Sequence, residues 1–67
     1  MKFSKQLIVA RAKLDISQTQ LADKLGVSLI TINRWENEQA KPSKVSAFKF
    51  EEFCRKNGIH IEGESND

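Results

Sequence analysis

Within the stretch "SLITINRWENE", residues 28–38, polar side chains of two kinds recur at helical spacing. Placed on a helix at roughly 100° per residue, Ile32 and Trp35 fall on one side, and Ile30, Asn33, Arg34 and Asn37 on the other. Arg34 carries a planar fork of N–H donors, and each asparagine offers one donor group beside one acceptor. That is chemistry for reading a pattern of hydrogen-bonding groups, not for breaking bonds. Reaction chemistry finds no footing elsewhere. The serines, the single His60 and the single Cys54 show no nucleophile–base spacing, and no glycine-rich phosphate loop is present. One histidine and one cysteine do not build a metal site. The sequence therefore predicts no enzyme, no cofactor and no metal. The puzzle is Ile30, an apolar residue on a polar face.

Elements that hold this stretch follow from a repeated start signal. Ser4, Ser17, Ser28 and Ser43 each stand as a candidate N-cap, the first three flanked by apolar pairs of the hydrophobic-staple kind (Phe3/Ile8, Ile16/Leu21, Val27/Ile32). Ser17 with Gln20 adds a capping box. Four caps predict four helices, roughly 5–14, 18–25, 29–37 and 44–56. Gly26 and Gly58 supply left-handed stops, Asn37 is expected to stop the third helix, and Asp15 must turn the chain after the first. Phe3, Leu7, Ala10 and Leu14 form one core stripe, and Leu21, Ala22 and Leu25 a second. Val27, Ile32 and Trp35 complete the centre. On the last helix Ala47, Phe50, Phe53 and Cys54 suit the core. Val45 and Phe48 point elsewhere, towards a homodimer partner or onto the first helix and the 38–42 loop.

Bulk composition narrows the class. A chain of 67 residues makes one domain and leaves little room for an enclosed active site. No apolar run approaches the ~20 residues of a membrane span, and the N-terminus lacks the pattern of a secretory leader. The lone cysteine suits a reducing, intracellular setting. In residues 1–60, 11 lysines and arginines face six acidic residues, a net +5, whereas Glu62, Glu64 and Asp67 make the tail acidic. A basic body suits an anionic partner. The expected division is a domain over 1–58 and a short polar acidic tail over 59–67.

Gln18, Ala22, Gly26, Val27, Ile32 and Trp35 occupy the register of a helix-turn-helix, and "SQTQLADKLGVSLITINRWENEQAKPS" closely resembles the phage lambda-repressor/Cro-like DNA-binding family. The resemblance implies an all-α bundle of four to five helices and a sequence-specific, repressor-like regulator. Its setting would be the cytoplasm, bacterial or phage-encoded and nucleoid-associated. It implies that helix 29–37 enters the major groove of double-stranded DNA. Ser28, Leu29, Ile30, Thr31, Asn33 and Arg34 would then be base contacts. Arg34 suits the O6 and N7 of guanine, Asn33 adenine or a phosphate, Thr31 a phosphate or a base edge. Leu29 and Ile30 suit thymine methyl groups, which gives the exposed isoleucine a partner. Gln18, Asn37, Lys41 and Lys44 match positions that grip phosphate. Arg11 and Glu36 match a structural ion pair between the first and third helices. Two departures stand out: Asp15 and Glu38 replace common glycines, and Glu38 brings a negative charge towards the DNA backbone. A protein-interaction module, such as an antitoxin docking its toxin, is the alternative reading. No small-molecule ligand or membrane partner is implied.

Overall fold

A computed structural model describes residues 1–61. It contains four α-helices in chain order: α1 (Phe3–Leu14), α2 (Gln18–Leu25), α3 (Leu29–Glu36) and α4 (Lys44–Lys56). Three of the four serine caps form. Ser17, Ser28 and Ser43 each accept a hydrogen bond from the backbone N–H three residues on. Gln20 closes the capping box by accepting from the Ser17 N–H at 2.8 Å. Ser4 departs from the expectation. α1 starts two residues earlier, behind Lys2, and Ser4 lies buried inside its first turn with its hydroxyl donated to Glu38.

All four helices end in the same way. A left-handed residue closes each: the C-caps Asp15 (φ 55°) and Gly26 (φ 69°) themselves, and Glu38 (φ 60°) and Gly58 (φ 68°) one residue beyond the caps Asn37 and Asn57. In each, the next N–H reaches back to a carbonyl five residues earlier: Ile16 to Arg11, Val27 to Ala22, Gln39 to Arg34 and Ile59 to Cys54. This is the Schellman arrangement, which satisfies the otherwise orphaned last carbonyls. The third stop corrects the sequence expectation. Asn37 is the C-cap but keeps φ at −94°, and Glu38 takes the strained turn. The residue after each left-handed turn also packs inward in three cases. Ile16 and Val27 lie against the core, and Ile59 is buried within it.

Most of the predicted core is buried; Phe3, Leu14, Val27 and Phe53 are only partly buried against it, Ala47 stands outside it, and Ile59 is an addition. Leu7, Ala10, Leu21, Ala22, Leu25, Ile32, Trp35, Phe50 and Cys54 are buried, and Ile59 joins them at 8 % exposure. Phe3 packs edge-on against Trp35 and Phe50, both at 5.4 Å between ring centroids, in the arrangement aromatic pairs favour. The sequence offered Ile59 only as the start of a polar tail. Residues 62–67 of that tail lie outside the described residues. Cys54 is core filler, its thiol pushed up by burial and, to a lesser degree, by the charge of Glu51.

Candidate nucleic-acid interface

α3 divides its eight residues cleanly. Ile32 and Trp35 face inward, while Leu29, Ile30, Asn33 and Arg34 are all exposed, Ile30 to 62 %. The exposed set spans one outward arc, with the half-buried Thr31 at its border. The Arg34 side chain makes no hydrogen bond or ion pair among the described residues, and the residue is exposed, so its donor fork is uncommitted. Ser28 and Thr31 are tied together at the start of the helix. The Ser28 hydroxyl accepts from the Thr31 N–H, and the two hydroxyl oxygens lie 2.9 Å apart.

Gln18 opens α2 and is held beside α3. Its Nε2 donates to Glu36 Oε1 at 2.9 Å. Glu36 also receives two bonds from Arg11, Nε to Oε2 at 2.8 Å and Nη2 to Oε1 at 2.9 Å. A parallel pair of this kind gives geometry as well as energy. One carboxylate thus joins α1, α2 and α3. The Glu36 side chain is only 6 % exposed and that of Arg11 24 %. Burial pushes the Glu36 carboxyl up, but the hydrogen bonds from Arg11 and Gln18 and the charge of Arg11 outweigh it and hold the group low. Donating to Glu36 in turn pushes the guanidinium of Arg11 up. The expected Arg11–Glu36 pair is present. The third member, Gln18, was not foreseen in this role.

Glu38 also behaves differently from its sequence expectation. Its carboxylate turns back to the start of α1, accepting from Ser4 Oγ at 3.1 Å and Lys2 Nζ at 3.4 Å. The charge expected to face a DNA backbone is thereby partnered. No sequence signal links these positions, which lie more than 30 residues apart.

The remaining candidates are less tightly grouped. Lys41 is exposed and lines a shallow depression with Trp35, Glu38 and Lys2, close to the C-terminal end of α3. Lys44, the first residue of α4, lines a groove between α4 and the start of α1 with Phe3 and Phe48. Among the described residues no hydrogen bond or ion pair ties the Lys44 side chain to α3. Asn37 is exposed but committed: its Nδ2 donates to the Asn33 backbone carbonyl at 2.9 Å and to Asn33 Oδ1 at 3.3 Å. Val45 and Phe48 stand 65 % and 58 % exposed on one side of α4, Phe48 at the edge of the groove it shares with Phe3 of α1. Among the described residues there is no cluster of three or more metal-ligating side chains, and no helix long and apolar enough to cross a membrane.

A short α2, a three-residue turn through Gly26 and an α3 with an exposed outer arc have the geometry of a helix-turn-helix. The chain belongs to the lambda repressor/Cro-like helix-turn-helix family, whose helix-turn-helix profile matches residues 7–58. No curated protein and no solved structure matches the chain. The family is a DNA-binding, regulatory one.

Proposed function

We propose that the chain is a sequence-specific, repressor-like transcriptional regulator that reads the major groove of double-stranded DNA with α3. The observation that carries this is the outward arc of α3, where an uncommitted Arg34 stands beside exposed Leu29 and Ile30. An arginine fork matches guanine O6 and N7, and apolar side chains match thymine methyl groups. Ser28 and Thr31 sit at the leading end of the helix, within reach of a base edge or the nearest phosphate. Gln18, Lys41 and Lys44 serve the flanking phosphates. Gln18 is the best supported of these, since Glu36 holds its amide beside α3 at the start of a helix, where N–H groups favour an anion. The protein would work without a cofactor, in the cytoplasm of a bacterium or of a phage-infected one.

Val45 and Phe48 support a homodimer, whose two reading helices would meet half-sites about one DNA turn apart. The same exposed pair favours the second reading, in which α4 docks another protein, as an antitoxin docks a toxin. Selection from random duplexes, followed by binding across a salt series, separates the two. Enrichment of a motif containing T and G, repeated with two-fold symmetry, supports the repressor. Weak, salt-sensitive binding without enrichment refutes it and favours the protein-docking role.

A further inference from the structure

Glu38 stands where the family commonly has glycine, and it does so at a cost. Its φ of 60° is a left-handed conformation that any residue with a Cβ adopts under strain. Such strain persists only where the surroundings hold it. Here the start of α1 does the holding. That helix has no side-chain bond from its N-cap, Lys2, and no acidic residue in its first turn. The Glu38 carboxylate supplies what α1 lacks. It accepts from the buried Ser4 hydroxyl, pairs with Lys2, and sets a negative charge beside the first turn of the helix. Ser4 is the anchor of the two, because the Lys2–Glu38 pair is open to water on both sides and such pairs hold little.

The connection between α3 and α4 depends on this clasp. Among the described residues, Glu38 carries the only hydrogen bonds that run from residues 37–43 to an element other than α3 and α4. Lys41 lies three residues beyond Glu38, and the two line one shallow depression with Lys2, Ser4 and Trp35. The Lys41 ammonium itself makes no hydrogen bond or ion pair among the described residues. We infer that Glu38 is a positioning residue for phosphate binding: by fastening the connection to α1, it holds Lys41 in place to meet the DNA backbone. This rests on the DNA-reading function proposed above. A lysine on a loose connection spends binding energy on being ordered, and one held beforehand spends less. Glycine at position 38 would make the turn without strain, but it would leave Lys41 without the tether.

The test is a double-mutant cycle of Ser4→Ala and Lys41→Ala, read as binding to duplexes selected by the wild type, across a salt series. Ser4→Ala cuts the anchor and leaves every charge in place. In the wild type, Lys41→Ala should flatten the salt slope by about one. In the Ser4→Ala background it should flatten the slope by less than about half as much, because the loosened lysine already binds poorly. Ser4→Ala alone should weaken all sequences alike, by about two- to eightfold at roughly 0.1 M salt. A merely structural Ser4 would lower Tm and leave the Lys41→Ala slope change intact. That additive result overturns the inference, as does a wild-type slope unmoved by Lys41→Ala. In both, the enrichment of a sequence stands. Should Ser4→Ala fold poorly, Glu38→Gly replaces it: this variant sheds the strain along with the clasp, and the Lys41→Ala effect should shrink there too. No enrichment of any sequence by the wild type refutes the DNA-reading function instead.

Discussion

Substituting either member of the Arg11–Glu36 pair should have unequal consequences, because the two partners are unequally placed. Glu36 is nearly out of water at 6 % side-chain exposure, while Arg11 keeps 24 % and a long stem. In Arg11→Met the carboxylate stays buried with Gln18 as its main polar partner. Stranding a charge this way costs about 2–4 kcal/mol, the lower part of the range for buried pairs because Arg11 is not fully enclosed. In Glu36→Gln the guanidinium can swing towards water, and the cost should be about 1–2 kcal/mol. A 67-residue domain has roughly 3–10 kcal/mol in hand. Arg11→Met should therefore lower Tm by roughly 10–30 °C, and Glu36→Gln by about half as much or less. The pH dependence carries a second signature. Glu36 is held below its ordinary value in the wild type, so the stability it contributes is present above the unfolded carboxyl range and fades as pH falls through the folded value. Without Arg11, the burial that pushes this carboxyl up meets less opposition. Protonation then relieves the variant, and the gap between Arg11→Met and wild type should close as pH falls below about 5. Urea or thermal melts of both variants from pH 4 to 8 measure it. Equal losses for the two substitutions, or a gap that widens in acid, would refute the idea that buried carboxylate is the costly group.

Asp15 bears a left-handed turn with no side-chain bond of its own among the described residues, so Asp15→Gly should raise stability by about 0.5–1 kcal/mol, read as a higher Tm. Glu38→Gly should gain less, since it also gives up the bonds to Ser4 and Lys2. Ile59→Ala should cost about 2–4 kcal/mol if Ile59 is core, and a melt like wild type would return it to the tail. Arg34→Ala should lose about 1–3 kcal/mol of binding and relax one base pair, whereas equal loss on every sequence would contradict its reading role. Lys41→Ala should weaken all sequences alike and flatten the salt slope by about one, and an unchanged slope would remove it from the phosphate contacts.

Local signals in the sequence proved the most legible. Ser17, Ser28 and Ser43 bond N–H groups three residues away, so their types and spacing carry the whole interaction. Ser4 has the same sequence surroundings, yet its hydroxyl is taken by Glu38, 34 positions distant, which no local pattern encodes. The choice of Glu38 over Asn37 for the left-handed turn has a similar origin. Asparagine is the more tolerant residue, but the helix ends where Trp35 must stay buried, and the clasp with Ser4 and Lys2 compensates glutamate. Ile59 was within reach: Gly58-Ile59 repeats the Gly26-Val27 pattern, a left-handed glycine followed by an apolar residue folding back on the core. On α3, period alone separated outward from inward residues. The bonds from Asn37 to Asn33 depend on side-chain rotation, which period does not specify.

The division of α3 has an evolutionary reading. Anchoring and projecting residues share the same eight positions, but none does both: Ile32, Trp35 and Glu36 anchor, and Leu29, Ile30, Asn33 and Arg34 project. Surface substitutions away from core and ion pairs cost little stability. A descendant lineage is therefore free to drift in what it recognises without first becoming a weaker fold, and a duplicated copy can acquire a new target in few steps. Asn33 and Asn37 are the exception. Coupled as they are, they should be inherited together or altered together.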